Sequence, residues 1–297
     1  FFDVTPTEMM IEKLSLACDR LLSHQQLACC QRYCGIPLHG KDIYMKLNVK
    51  KISLLLTGHH GDISAMTFGQ GSRPVMLCSA SADYIIVWDI ELCATRTNEG
   101  KIAAGIVIGT LLGEVVHLSF CFSDERVVAC SGKTAYVLSS KRQEVISALT
   151  GHLGPLTSAE FCPWNKDILV TTSEDRTFKV WDLKTEAVVH QSFVLSATPL
   201  LSVFFLEDDR QLITGSTDGQ VWCFSLSVDR KCHLVTKMDI QKMEKRHQMQ
   251  QEAVNNSWFC IGSSDGLYVV DLATSELVTA LYFKGRLLVV WFLQMLF

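Results

Sequence analysis

Two stretches of the chain assemble side chains that could do acyl-transfer chemistry. Gly58-His59 is followed by the turn sequence Ser81-Ala82-Asp83 and then by Trp88-Asp89; Gly151-His152 is followed by Ser173-Glu174-Asp175 and then by Trp181-Asp182. An imidazole, a hydroxyl and a carboxylate are the parts of a nucleophilic relay, in which the base takes the hydroxyl proton and the acid orients the base. That chemistry requires a hydroxyl exposed beside its base. Whether any hydroxyl here is exposed depends on the elements that carry it.

Other chemistries leave weaker traces. The chain has 12 cysteines, but they sit inside apolar runs such as MLCSA, SFCF, VVACS and VWCF, where a small buried hydrophobe serves equally well. A structural metal site uses Cys-x-x-Cys pairs with partners of the same kind. The nearest cluster, Cys29-Cys30 with Cys34, has no second pair at that spacing and reads as structural. There is no phosphate loop of the G-x-x-x-x-G-K type, so the expectation is no metal, no nucleotide and no other cofactor. Apolar residues make up 48% and charged residues 20% of the 297, an ordinary globular balance, and the net charge is −4. A protein living on nucleic acid or on an acidic membrane normally carries a basic field. Neither partner is expected.

The positioning elements repeat. The runs DIYMKL, DYIIVWD, TAYVLSS, RTFKVWD, GQVWCFS and GLYVVD align on Met45, Trp88, Leu138, Trp181, Phe224 and Val270, with successive spacings of 43, 50, 43, 43 and 46 residues. Five or six residues before the aligned position, Asp83, Asp175, Asp218-Gly219 and Asp265-Gly266 supply hairpin-turn chemistry. The run before each turn is apolar, as for a strand buried on both faces. A period of about 40–45 residues with four short strands per unit is the signature of a propeller blade.

On these residues the chain resembles the WD-repeat β-propeller family over roughly Leu27 to Phe283. The resemblance implies an all-β fold of six recognisable blades, with a composite or incomplete seventh. It also implies two buried hydrogen-bonded tetrads: His59, Ser79, Asp83 and Trp88 in one unit, and His152, Thr171, Asp175 and Trp181 in another. The remaining four units lack both the Gly-His and the tryptophan, so they should rest on apolar packing. With its hydroxyl on an inner strand, the His-Ser/Thr-Asp set reads as a staple between turns rather than a catalytic site.

The ends and interruptions carry their own expectations. Residues 1–26 could supply a ring-closing strand; 27–283 form the propeller; and 284–297 form an apolar, atypical tail that either fills the ring as a strand or replaces the repeat's own sequence. The Gly-rich stretch from Ala94 to Glu114 reads as a longer strand-to-strand loop. The stretch 229–256, with six basic side chains against four acidic ones, reads as a polar, solvated insertion.

For function, a rigid disc with variable loops on two faces implies a non-enzymatic scaffold that binds other proteins inside the cell, in cytoplasm or nucleus. Expected contacts next to the tetrads are His60, Asp62 and Glu174. An alternative is a substrate receptor of a cullin-RING ubiquitin ligase, because Leu169 to Lys184 resembles the adaptor-capturing motif of such receptors, with Lys184 in its basic position. A more distant alternative is a propeller hydrolase. The channel-side imidazoles and carboxylates that a hydrolase would use are not evident in the sequence.

Overall fold

The computed structural model describes residues 28–30, 32–47, 53–227, 229–247, 258–262, 266–271, 274–282 and 292–293. Among these, six four-stranded antiparallel sheets follow one another along the chain. The first contains β1 (Ala28–Cys29), β2 (Tyr33–Leu38), β3 (Asp42–Leu47) and β4 (Ser53–Leu56). The second contains β5 (Ile63–Phe68), β6 (Met76–Ser81) and β7 (Tyr84–Asp89), then helix α1 (Ile90–Asn98) and β8 (Ile106–Thr110). The third runs β9 (Val115–Phe120), β10 (Arg126–Ser131), β11 (Thr134–Ser139) and β12 (Val145–Thr150). The fourth runs β13 (Leu156–Phe161), β14 (Ile168–Ser173), β15 (Phe178–Asp182) and β16 (Ala187–Gln191). The fifth runs β17 (Leu200–Leu206), β18 (Gln211–Ser216), β19 (Gln220–Leu226) and β20 (Cys232–Asp239), and is followed by helix α2 (Ile240–His247). The sixth contains β21 (Trp258–Gly262), β22 (Gly266–Asp271), β23 (Glu276–Tyr282) and, from the far end of the chain, β24 (Phe292–Leu293).

Each of the first five sheets is a meander in chain order. The first strands of successive sheets touch, β1 to β5, β5 to β9, β9 to β13 and β13 to β17, so these strands line the centre and the fourth strands face outward. Burial follows that layout. All six residues of β14 are buried, whereas β16 is exposed but for His190, which is half-buried. A strand buried on both faces must be apolar throughout, while an outer strand needs no such run. Five apolar clusters fill the spaces between sheets. Trp181, for example, packs with Val128, Val137 and Cys130 of the third sheet, and Trp222 with Val170, Phe178 and Val180 of the fourth.

The aligned positions share more than burial. In the third to sixth sheets the outer strand pair changes register immediately before Leu138, Trp181, Phe224 and Val270. Such a bulge adds local twist and keeps the outer strand wrapped over its neighbour.

Two expectations about the interruptions change, and of the two alternatives for the tail the described residues show the strand. The stretch from Ala94 to Glu114 contains the end of α1 and the whole of β8, rather than loop alone. Asp89, the acid of Trp88-Asp89, caps the helix by accepting the Leu92 N–H at 2.9 Å, and Ile90 and Cys93 bury its inner face. The stretch 229–256 contains β20, paired along β19, and α2, whose Ile240 and Met243 join the apolar space between the fifth and sixth sheets. An outermost strand is mostly solvated, so its polar composition looks like an insertion. In the tail, Phe292–Leu293 pairs with Ile261 and Cys260 and occupies the first-strand place of the sixth sheet. The ring-closing role expected of residues 1–26 lies outside the described residues.

Candidate functional site: two inward-facing tetrads and the surface they hold

Antiparallel alternation sends all connections of one kind to one end of the sheets. The turns between second and third strands and the loops between consecutive sheets share one end; the remaining turns share the other. The first end carries both Gly-His loops. Their glycines lie against the tryptophan of the same sheet: a Cβ on Gly58 would sit 3.0 Å from Trp88 Cη2, and one on Gly151, whose φ is +150°, would sit 3.3 Å from Trp181 Cη2. Glycine lets the loop descend onto the indole, and the descent delivers the histidine into the sheet.

In the fourth sheet the network is a single directed chain. Trp181 Nε1–H donates to Thr171 Oγ1 at 2.8 Å, Thr171 Oγ1 lies 2.8 Å from His152 Nε2, and His152 Nδ1 lies 2.8 Å from Asp175 Oδ2. Each group donates once: the indole to the hydroxyl, the hydroxyl to Nε2, and Nδ1–H to the carboxylate. Asp175 also accepts from the Leu153 N–H at 2.9 Å, the Thr177 N–H at 3.0 Å and the Thr177 hydroxyl at 2.7 Å. Burial alone would push the Asp175 carboxyl up. Hydrogen bonds from Thr177, His152 and Leu153 outweigh it and hold the group at about 2. His152 is lowered by burial despite Asp175, so the imidazole sits neutral in the fold.

The second sheet uses the same groups, with Ser79 in place of a threonine, in looser geometry. His59 Nε2 and Trp88 Nε1 both meet Ser79 Oγ, at 2.7 and 2.9 Å. His59 Nδ1, however, is 3.1 Å from Ser81 Oγ and 3.5 Å from Asp83 Oδ1. Asp83 spends its other oxygen on His60, accepting from the backbone N–H at 2.9 Å and lying 3.1 Å from Nδ1. Burial again lowers His59; Asp83 is held down, against burial, by bonds from His60, Tyr84 and His59.

The order of atoms is that of a nucleophilic relay, but both hydroxyls are wholly buried, at 0% exposure for Ser79 and Thr171. No substrate can reach either oxygen. Any partner removed from such a set leaves a buried polar group unmatched, at a cost of about 1–3 kcal/mol.

Two arrangements escaped the sequence reading. In the fifth sheet Ser196 takes the place of the histidine: its hydroxyl donates to Asp218 Oδ2 at 3.0 Å, and Ser216 donates to Oδ1. The Ser196-x-Thr198-Pro199 loop was the available signal. In the central strands, His117 Nε2 on β9 lies 3.0 Å from Glu160 Oε1 on β13, and Ser119 Oγ donates to Glu160 Oε2 at 2.5 Å. An imidazole and a carboxylate do therefore stand near the axis. They bind each other across two sheets, and the hydroxyl meets the carboxylate rather than the imidazole, which leaves no base aimed at a nucleophile.

The opposite end is laced between neighbours. Arg32 reaches the Ser72 carbonyl; Asp124 accepts from the N–H groups of Gln70 and Gly71, each at 2.8 Å; Arg126 donates to the Lys166 carbonyl at 2.7 Å; and Arg230 pairs with Asp182. These contacts join the first sheet to the second, second to third, third to fourth and fourth to fifth.

The expected contact residues divide between the two ends. His60, Asp62 and Glu174 are exposed at the tetrad end. Lys184 is exposed at the other end, where its Nζ pairs with Asp167 at 2.8 Å. Beside the first group stand residues the sequence reading passed over. Leu111, Leu153 and Phe193 lie in three successive loops between sheets, at 87%, 84% and 69% exposure. Among the described residues, no cluster of metal-ligating side chains occurs and no helix is long and apolar enough to cross a membrane.

Comparison with known proteins agrees with this geometry. Residues 143–182, the outer strand of the third sheet through the third strand of the fourth, match the family model of the WD domain, G-beta repeat. The chain is 29% identical over 146 residues to protein tipD of Dictyostelium discoideum, covering 48% of this chain and 21% of that protein. It is 27% identical over 173 residues to the U5 small nuclear ribonucleoprotein 40 kDa protein of the same organism, covering 56% and 45%. It is 30% identical over 117 residues to mouse WD repeat and FYVE domain-containing protein 1, covering 39% and 27%. The matched region thus spans less than half the length of each of these relatives. The matches support the WD-repeat family, and the fold class is all-β: a WD-repeat β-propeller built of six four-stranded sheets.

Proposed function

We propose that the chain is a non-enzymatic scaffold that binds other proteins through the tetrad end of the propeller. One observation carries this reading: Leu111, Leu153 and Phe193 project into solvent from three consecutive inter-sheet loops, on a frame stiffened beneath them by the tetrads. Large apolar side chains grouped on one face of a soluble fold mark an interaction surface. Leu153 in particular is fixed by its own backbone N–H bond to Asp175.

The names of other relatives support an assembly role inside the cell, nucleus included. They include a pre-mRNA-splicing factor of Schizosaccharomyces pombe and a ribosome biogenesis protein of Nematostella vectensis, and neither is named as an enzyme. The net charge of −4 favours proteins over nucleic acid as direct partners. The order of motifs also resembles the N-terminal propeller of WD repeat-containing protein 27.

The second reading, a cullin-RING substrate receptor, uses the other end, where Lys184 stands exposed beside Asp167. One experiment separates the two. The tagged chain, a Leu111→Asp/Leu153→Asp/Phe193→Asp variant and Lys184→Glu are purified in parallel from lysate, each with an unchanged melting temperature. The expected result is a stoichiometric partner set lost from the triple variant and kept by Lys184→Glu. Loss of ubiquitin-ligase adaptors from Lys184→Glu alone would favour the receptor; partners kept by both variants would overturn the proposed face.

A further inference from the structure

The first two strands hold a pair of thiols that neither the fold nor the proposed scaffold uses. Cys29 on β1 and Cys34 on β2 are direct cross-strand partners. The Cys30 N–H donates to the Tyr33 carbonyl at 2.8 Å. In an antiparallel ladder, bonded and non-bonded pairs alternate, so Cys29 and Cys34 form the non-hydrogen-bonded pair that follows, where Cα atoms approach to about 4.5 Å and side chains lie closest. That separation falls within the range a disulfide spans, about 4.4–6.8 Å. The two sulfurs stand 3.1 Å apart, with the Cys29 S–H directed at Cys34. Cys29 is exposed and Cys34 half-buried, whereas Cys78, Cys93, Cys121, Cys130, Cys162 and Cys223 are buried.

We propose that Cys29 and Cys34 are a reversible oxidation site, a disulfide that covalently joins the innermost strand of the first blade to its neighbour. The chemistry divides between the two sulfurs. The bond from Cys29 lowers Cys34 to about 7, and the same bond raises Cys29, so Cys34 supplies the thiolate. With a peroxide as oxidant, the Cys34 thiolate attacks the O–O bond, giving a sulfenic acid and hydroxide, which takes up the proton Cys34 released and leaves as water. The Cys29 sulfur then attacks the Cys34 sulfur; the S–O bond breaks, and a second water departs with the Cys29 proton. Two thiols are oxidised by two electrons and one peroxide is reduced to two waters. The product would matter because, among the described residues, β1 is held to β2 by two register pairs while it touches β5 of the next blade. A covalent bond would fasten β1, and with it the side it presents to β5, to β2 until a thiol reductant opens it.

The sequence supplies a direct readout. Trypsin cleaves after Arg20, Arg32 and Lys41, which places Cys29 and Cys30 on one peptide and Cys34 on another. The folded full-length chain is treated with dilute hydrogen peroxide, its remaining thiols are alkylated, and it is digested without reductant, alongside folded Cys29→Ser and Cys30→Ser variants. The expected result is the linked pair 21–32 with 33–41 in the parent and in Cys30→Ser, its loss in Cys29→Ser, and its disappearance on dithiothreitol. No linked pair in a parent whose other thiols have begun to oxidise would overturn the proposal. So would a linked pair that survives in Cys29→Ser and is lost in Cys30→Ser.

Discussion

The second and fourth sheets carry the same four chemical groups in the same order, with Ser79 in one and Thr171 in the other, yet they are not equally tight. Asp175 serves His152 at 2.8 Å and the Leu153 N–H at 2.9 Å with one oxygen and gives the other to Thr177 of its own turn. Asp83 stands 3.5 Å from His59 and gives its other oxygen to the exposed His60. The residue after the histidine makes the difference: Leu153 offers only a backbone N–H, whereas His60 offers a side chain as well. The motif specifies which groups meet, and its surroundings decide how firmly.

Substitutions along the two chains of bonds test that contrast. The largest effect is expected at the indoles, which are nearly fully buried in both sheets: Trp88→Ala and Trp181→Ala should each cost about 3–5 kcal/mol in denaturant unfolding, with little difference between them. Thr171→Val keeps the shape of the side chain but strands the Trp181 N–H and His152 Nε2, and should cost about 2–3 kcal/mol.

The carboxylates are where the sheets should diverge. Asp175→Ala is expected to lose about 1–3 kcal/mol and Asp83→Ala distinctly less, read as melting temperatures under one condition. Equal losses would mean that the shorter His152–Asp175 contact carries no extra stability.

Acid titration sharpens the same point. Asp175 titrates at about 2 in the fold against an ordinary 3.8, so between those values the unfolded chain binds more protons. Its contribution is present above pH 3.8 and is lost as pH falls toward 2. His59 and His152, lowered from 6.5 by burial, act in the same direction at higher pH, since the unfolded chain protonates first and stability declines as pH drops below 6.5. Asp175→Ala should flatten the lower limb of the stability–pH curve more than Asp83→Ala does. The smallest effect is expected for His60→Ala, within about 0.5 kcal/mol, because its ring is exposed.

How much of this was legible before folding depends on where each residue sits. The third strands could be aligned because a strand buried on both faces must be apolar and must end in turn chemistry; Met45, Trp88, Leu138, Trp181, Phe224 and Val270 all fall on such strands. Outer strands face no such demand. For that reason β20, with Lys237 and His233 along it, looked like an insertion, and β8 like part of a loop. The place of Phe292–Leu293 beside Ile261 depends on pairing across a long separation, which no local pattern encodes. The same holds for His117 with Glu160: each alone is an ordinary polar residue on a central strand, and only the docking of two sheets makes them a pair. Ser196 was hidden for another reason. A hydroxyl doing the work of an imidazole leaves the turn acid satisfied without the Gly-His that announces it elsewhere.

The lacing between neighbours bears on how the blades can change over generations. The Gly69-Gln70-Gly71 turn of the second sheet closes around Asp124 of the third, and a Cβ on either glycine would come within 2.7 Å of its carboxylate. Change on either side of that contact acts on the other. A larger residue at Gly69 would expel Asp124, and losing Asp124 would leave two turn N–H groups without their acceptor. The blades therefore do not vary as interchangeable modules. Sequence change at one blade's turn is tied to change in the next blade, and a blade transplanted from another propeller would have to bring its neighbour's acid with it.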